Sequence, residues 1–106
     1  MASSPDLAEW NLQSVALLQA MAGAISPNFR RVTLGHNGIE WVLGFVLEAE
    51  NAEDREEIED IGTEWEALQS GSVPVRIETS ATADELPLPA LPTRVIYRRR
   101  EAVSAL

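Results

Sequence analysis

Carboxylates are the side chains in this sequence most able to do chemistry, and they are concentrated in one stretch. The segment from Glu48 to Glu66 holds ten Asp and Glu residues and a single arginine, which leaves a formal charge of −9, equal to that of the whole 106-residue chain. Paired carboxylates can hydrolyse glycosidic bonds, but only where an apolar pocket separates their pKa values. This stretch is too polar for such a pocket, so we do not expect glycosidase chemistry.

A metal site is the second kind of chemistry that carboxylates suggest. Glu56, Glu57 and Asp60 are spaced so that a helix could present them together to a hard cation. However, no loop in the sequence supplies the alternating oxygen ligands that calcium usually takes. We therefore expect no metal and no other cofactor.

Other acid–base residues are few. The sequence has no Cys and no Lys, and its single histidine, His36, precedes a turn signal and is interpreted as a solvated turn residue. No spacing supports a Ser-His-Asp triad, and an enzyme would need a pocket that gathers His36, Tyr97 and a carboxylate. We therefore predict that the protein is not an enzyme.

Size and charge indicate the class of the protein and of its partners. The chain is long enough for one globular domain over residues 1–106, with a frayed tail from residue 100. A pI near 4.4 disfavours nucleic acid and anionic membranes as partners, because both are negatively charged. Without a basic, apolar leader, a cytoplasmic location is expected. We expect a monomer or weak dimer whose natural partners are basic protein surfaces.

Helical periodicity predicts two helices. The first is expected over about residues 7–25, with Ser4 and Asp6 available as caps. Its buried face is predicted to comprise Val15, Leu18, Met21, Ala22 and Ile25. The second has Asn51 as its N-cap and Asp54 in the capping-box position. The buried seam of this second helix is predicted to comprise Ile58, Ile61, Trp65 and Leu68.

A β-hairpin is predicted between the two helices. Residues 35–38, which include the turn signal Asn37-Gly38, separate two β-rich runs, residues 29–34 and 39–47, and this is a strong hairpin signal. The second run is apolar on both faces, which is typical of an interior strand.

Two further strands complete the predicted sheet. They are expected at residues 73–78 and 94–100, joined by a long loop over residues 80–93, and Pro74 places the third strand at an edge. The predicted fold is therefore α+β, with the order α-β-β-α-β-β. It has a four-stranded, mainly antiparallel sheet of strand order 1-2-4-3 and two helices on one face.

The second helix is the best candidate for a functional surface. Its acidic residues recur three and four positions apart, where each like-charge pair costs about 0.2–0.5 kcal/mol, and only Arg55 with Glu59 offsets this repulsion. Glu64 and Glu66 lie toward the C-terminus, where the helix dipole disfavours anions. These costs favour a partner-binding surface over a solvated face. The expected contacts are Glu48, Glu50, Glu53, Glu56, Glu57, Asp60 and Glu64.

Three stretches of the chain also resemble a known family. They are LLQAMAGAISPNFRRVTL, AENAEDREEIEDIGTEWEAL and LPLPALPTRVIYRRRE, and their most specific pieces are G-A-I-S-P-N-x-R, the acid-rich helix with its E-W-E-A end, and V-I-Y-R-R-R-E. Over about residues 15–101 the chain resembles the small acidic immunity proteins encoded beside toxins in contact-dependent growth inhibition and related polymorphic toxin systems. The resemblance implies a cytoplasmic protein that neutralises one cognate toxin, often a nuclease, by stoichiometric binding.

The sequence therefore supports two hypotheses of different classes. The first is an immunity protein that binds a basic toxin domain, with the acidic helix imitating the phosphates of a nucleic-acid substrate. The alternative is an acidic secretion chaperone or adaptor, which would hold an effector segment in apolar grooves and dimerise. A large exposed apolar patch would favour the chaperone, and strongly salt-dependent binding of a folded domain would favour the immunity protein.

Overall fold

Two helices and four strands make up the part of the chain that the computed structural model describes, residues 4–90 and 92–101. In chain order they are α1 (Leu7–Met21), β1 (Phe29–His36), β2 (Trp41–Leu47), α2 (Ala52–Ala67), β3 (Val75–Ala81) and β4 (Thr93–Arg98). The predicted α+β class and order of elements are confirmed. Within these residues, no helix is both long enough and apolar enough to span a membrane.

The sheet has the strand order β3-β2-β1-β4. β1 pairs antiparallel with both β2 and β4, while β2 and β3 are parallel, so the sheet is mainly antiparallel as predicted. The predicted order 1-2-4-3 is wrong, because β4 does not insert between β2 and β3. A crossover through α2 lets β3 pair directly with β2, and the segment after β3 is long enough to cross two strands and reach the free edge of β1.

The edge and interior positions of two strands were predicted correctly. β3 lies at an edge, and Pro74 comes immediately before it, with its carbonyl accepting a 3.0 Å hydrogen bond from the Trp41 amide. β2 is interior, and its alternate residues are buried. These are Trp41, Leu43, Phe45 and Leu47.

Both helices cover the face of the sheet to which those residues of β2 point. Three residues of the seam predicted for α2 are in the core, where Trp65 is fully buried and Ile58 and Ile61 nearly so. Leu68 is half-exposed, because α2 ends one residue before it. The face of the sheet turned away from the helices is here called the open face.

The buried face of α1 differs from the prediction. Its buried residues are Gln13, Ala16, Leu17, Ala20 and Met21. Val15 and Leu18, predicted to be buried, are about half exposed. The rotation has a polar cause, because the side chains of Gln13 and Gln69 exchange two hydrogen bonds of 2.7 Å, and the Trp65 indole N–H donates to the Gln13 carbonyl at 3.4 Å.

α1 also ends four residues earlier than predicted. Gly23 has a φ of +80°, a left-handed conformation that glycine adopts without a steric penalty. Ala22 and Ile25 therefore lie beyond the helix, with Ala22 exposed and Ile25 packed at the margin of the core. At the other end, the Asp6 carboxylate accepts a 2.8 Å hydrogen bond from the Glu9 amide, as expected of an N-cap.

The predicted hairpin is present, but its four-residue loop lies at residues 37–40 instead of 35–38, because β1 continues to His36 and β2 begins at Trp41. The Asn37 side-chain oxygen accepts hydrogen bonds from the amides of Ile39 and Glu40 at 3.0 and 2.8 Å, and Gly38 has a φ of +92°. Ile39, the first residue of the second predicted run, therefore lies in the loop and is 75% exposed.

The segment after β3 crosses the open face as an irregular strap, residues 82–90. Arginines of β1 hold it from below: Arg30 donates to the carbonyls of Thr82 and Asp84, and Arg31 to that of Pro87, each at 2.7 Å. The predicted long loop is thus confirmed as irregular, although β3 continues to Ala81.

Candidate functional site: the acidic surface

In the first turn of α2, Asp54 is buried and bound within the protein, whereas Glu53 is exposed to solvent. The Asn51 side-chain oxygen accepts from the Asp54 amide at 2.9 Å, so Asn51 is the N-cap, as predicted. Asp54 is only 6% exposed, and its carboxylate accepts a 2.9 Å hydrogen bond from the Asn28 side chain instead of completing a capping box. Asp54 is therefore part of the support of the helix.

Asn28 fixes the junction from which α2 starts. Besides binding Asp54, its side-chain amide donates to the Ala49 carbonyl at 2.8 Å and accepts from the Ala49 amide at 3.1 Å. The Glu48 amide donates to the backbone carbonyl of the same asparagine at 2.8 Å. The turn before β1 thereby positions the chain that leads into the acidic helix.

Replacing Asn28 with alanine should lower the free energy of unfolding by about 2 kcal/mol, because Asp54 and the Ala49 backbone lose their partners. Asn11→Ala is the matched control, since the Asn11 side chain accepts a single exposed hydrogen bond from Arg94. Urea denaturation of both variants measures the difference. Equal losses in the two variants would show that Asn28 does not have this structural role.

The buried seam of α2 determines which acidic residues face solvent. At 100° per residue, the residues placed opposite or beside the seam are all exposed. Five of the predicted contact residues belong to this set and are here called the acidic surface: Glu53, Glu56, Glu57, Asp60 and Glu64. None of the five forms an ion pair with any other residue in the described ranges.

The acidic surface borders a shallow groove between the two helices. Glu57, Asp60 and Glu64 line one wall, and the end of α1 with the turn after it, residues 19–24, lines the other. The groove has a volume of about 300 Å³. Neither helix carries a basic residue in its last turn, so nothing on these turns offsets the negative C-terminal ends of the helix dipoles.

The two residues expected at the rim are engaged within the protein. The Glu48 carboxylate forms an ion pair with Arg99 at 2.6 Å, and the Glu50 carboxylate accepts hydrogen bonds from Nε and Nη2 of Arg55 at 2.8 and 2.6 Å. The hydrogen bonds from Arg55 lower the pKa of Glu50. Arg55, predicted to offset Glu59, thus pairs with a residue before the helix, and Glu59 forms no ion pair with another residue that the structure describes.

A buried arginine links the strap to the end of the described chain. Arg30 is 4% exposed, and its Nε and Nη2 atoms bind the Glu101 carboxylate at 2.7 and 2.9 Å. Arg99 bridges Glu101 and Glu48 at 2.7 and 2.6 Å. The tail predicted from residue 100 is therefore anchored at Glu101, and the rest of it, residues 102–106, lies outside the described residues.

This network explains two of the sequence pieces that carry the family resemblance. The turn at residues 23–30 contributes Asn28 and Arg30, and the closing stretch contributes Arg99 and Glu101. Their contacts are internal, so these pieces support the fold, whereas the exposed acidic surface is free to contact a partner.

The network also predicts a pH dependence of stability. Hydrogen bonds from Arg30 and Arg99 lower the pKa of Glu101 from 4.5 to about 2. Because the pKa is lower in the folded state, these contacts stabilise the protein above pH 4.5, and the stabilisation is lost as the pH falls from 4.5 toward 2. Glu101→Gln should therefore flatten the dependence of the unfolding free energy on pH over this range. Parallel curves for the variant and the natural protein would contradict this assignment.

The residues that could support an enzyme are placed apart. His36 accepts a 3.0 Å hydrogen bond from the Gly38 amide at Nδ1, and its ring packs edge-on against Trp41. A groove of about 660 Å³ on the open face includes His36 and Glu78 but is not lined by Tyr97. In the described ranges, no group of three or more His, Asp or Glu residues is arranged to hold a metal ion. Glu56, Glu57 and Asp60 are therefore not placed as the ligands of one metal ion.

Comparison with known proteins gives one finding on the family. Residues 12–101 match the family model described as MafI2 immunity protein. The match covers most of the chain, from the middle of α1 through the ion pairs of Glu101. No curated protein matches the sequence.

Proposed function

We propose that this chain, which belongs to the MafI2 immunity protein family and is therefore an immunity protein of a polymorphic toxin system, blocks its cognate toxin through the acidic surface. The toxin would be a nuclease with a basic substrate-binding site. Binding is proposed to be one to one and to take place in the cytoplasm, where the nucleic-acid substrates are.

One observation supports the acidic surface most directly: its five carboxylates are exposed and have no ion-pair partner in the described ranges. Neighbours three and four positions apart repel each other, at about 0.2–0.5 kcal/mol per pair. A face that only needed solvation could include Lys or Arg and avoid this cost. A partner that supplies the missing positive charges would offset it.

The proposed mechanism is occupation of the toxin's phosphate-binding groups. A nuclease site holds its substrate with Arg and Lys, which bind carboxylates as well as phosphates. The buried seam of α2, which includes Trp65, holds the helix against the core, so its carboxylates are presented at set spacings. Little conformational entropy is therefore lost on binding. Inhibition by this route needs neither catalysis nor a cofactor from the immunity protein.

The test is to mix the purified protein with the folded cognate toxin domain and measure stoichiometry, nuclease activity and salt dependence. We expect a one-to-one complex, loss of cleavage, and an association rate that falls steeply as salt rises. A complex that forms equally fast at low and high salt would show that the acidic surface does not guide binding.

An exposed apolar face of α1 favours a second candidate, the secretion chaperone or adaptor. Its four large side chains are 51–68% exposed. They are Leu7, Leu12, Val15 and Leu18. A chaperone would use this face to hold an extended effector segment or a second copy. Val15→Ser with Leu18→Ser would abolish binding of an unfolded segment by the chaperone, but would leave inhibition of a folded nuclease by the acidic surface intact.

A further inference from the structure

A trough on the open face contains an arginine that lacks a partner for one of its buried donors. The trough has a volume of about 370 Å³ and is bordered by Arg31 of β1, Val46 of β2 and, on β3, Ser80 and Glu78, whose carboxylate is paired with Arg76. The Arg31 Nη1 atom donates to the Pro87 carbonyl of the strap at 2.7 Å. Its Nε atom is buried and has no hydrogen-bond partner among the described residues. Leaving a buried donor unsatisfied is unfavourable, so the site is incomplete as it stands.

The free atom lies on the edge of the guanidinium that binds carboxylates in pairs. Arginine presents a planar fork of donors, and two parallel N–H groups match the two oxygens of a carboxylate. Pro87 uses Nη1, so a carboxylate would bind along the edge formed by Nε and Nη2, and because Nε is buried this binding requires a movement of the Arg31 side chain. A carboxylate placed there would satisfy the buried Nε and gain a second hydrogen bond.

A second arginine stands directly opposite on the neighbouring strand. Arg31 and Arg98 are register partners of β1 and β4, so their side chains project from the same face of the sheet. Like charges in this position repel each other. Neither arginine takes part in an ion pair with another described residue, whereas Arg76 on the same face is paired with Glu78 at 2.9 Å and Glu40 at 3.6 Å.

We propose that Arg31 and Arg98 form a binding site for a carboxylate side chain of the cognate toxin. The identity of this partner rests on the proposed function, while the site itself rests on the buried donor and the uncompensated pair of charges. Arg31 pairs with Val46, and α2 begins six residues later, so the site lies at the same end of the sheet as the start of the acidic surface.

Two surfaces of opposite sign would fix the orientation of the toxin. A partner must then present basic groups to the acidic surface and an acidic group to the arginine pair. A toxin with the wrong charge at either place is rejected by repulsion or by an unpaired charge. The arginine pair would therefore contribute to the choice of the cognate toxin.

The site can be tested with a small probe before the toxin is used. Sodium acetate is titrated into ¹⁵N-labelled protein while the Nε–Hε resonances of the arginines are followed by NMR, with sodium chloride at equal ionic strength as the control. We expect a saturable shift at Arg31 with acetate that disappears in Arg98→Gln. Equal shifts in acetate and chloride would overturn the proposal, as would a response to phosphate without one to acetate.

Toxin binding supplies the second test. Arg31→Gln and Arg98→Gln should each weaken binding of the toxin domain by about tenfold or more, as expected for loss of a charge-assisted contact. Arg76→Gln is the control, because it removes the same charge from the same face but from an arginine that is already paired. Arg31→Lys keeps a donor for Pro87 but lacks the fork, so it should behave like Arg31→Gln. Equal affinities for the Arg98→Gln and Arg76→Gln variants would overturn the proposal.

The two proposals fail in different ways. If reversal of charges on α2 weakens binding and Arg31→Gln and Arg98→Gln do not, the carboxylate site is wrong and the acidic surface stands. If the arginine variants weaken binding and the helix variants do not, the toxin uses the open face and the proposed role of the acidic surface fails.

Discussion

Replacing Arg30 with alanine should lower the free energy of unfolding by about 3 kcal/mol, a large loss for a single residue of a small domain. The side chain is 4% exposed and binds two backbone carbonyls of the strap as well as both oxygens of Glu101. Alanine leaves those carbonyls without a donor and releases both the strap and the end of β4.

Arg76→Ala is the control for this prediction. Arg76 also contacts two carboxylates, those of Glu40 and Glu78, but its side chain is 53% exposed. Exposed ion pairs contribute little, so the control should change stability by less than about 0.5 kcal/mol. Urea denaturation of the two variants gives the comparison. A loss for Arg30→Ala no greater than that of the control would show that the strap is not held by this arginine.

Reversing two charges of the acidic surface, Glu56→Arg with Asp60→Arg, should slow association with the toxin domain by about 100-fold at low salt, because electrostatic steering becomes repulsion. Both residues are exposed and form no ion pair with another described residue, so the fold should be retained. Stopped-flow fluorescence measures the rate, and circular dichroism checks the fold.

The same helix provides a matched control. Glu59 and Glu66 are exposed on the opposite flank of α2, so Glu59→Arg with Glu66→Arg makes the same change in net charge at a different place. At physiological salt, where charges are screened beyond about 8 Å, this control should slow association far less than Glu56→Arg with Asp60→Arg does at the same salt concentration. Equal slowing by the two double variants would mean that only the net charge matters, and that this flank is not the interface.

Local patterns predicted the elements and the placement of α2. The three-to-four spacing of Ile58, Ile61 and Trp65 reflects one buried seam, and once that seam is fixed, helix geometry places the acidic residues on the outside. Asn51 and Asp6 cap their helices through contacts only three residues away, which is why short-range reasoning found them.

The errors arose where distant residues decide the outcome. The face of α1 is set by Gln13 meeting Gln69, a polar pair that apolar periodicity cannot reveal. The strand order depends on where the strap crosses the sheet, and that path is held by contacts of Arg30 more than 50 residues away. Arg30 and Glu101 are 71 residues apart, so no local signal joins them.

Arg31 was missed as a candidate binding residue for a similar reason. The sequence places Arg31 in a predicted strand but gives no sign that one of its donors is buried. Only the path of the strap over β1 shows that Pro87 occupies one side of the guanidinium and leaves the other unsatisfied.

Mapping the toxin contact by NMR tests the central claim most directly. The amide and side-chain resonances of ¹⁵N-labelled protein are compared before and after addition of one equivalent of unlabelled toxin domain. If the acidic surface is the interface, the largest shifts will cluster at residues 53–64, with smaller changes at the hairpin loop, residues 37–40. Unchanged resonances at residues 53–64, with large shifts on the outer face of α1, would contradict the proposed role of the acidic surface.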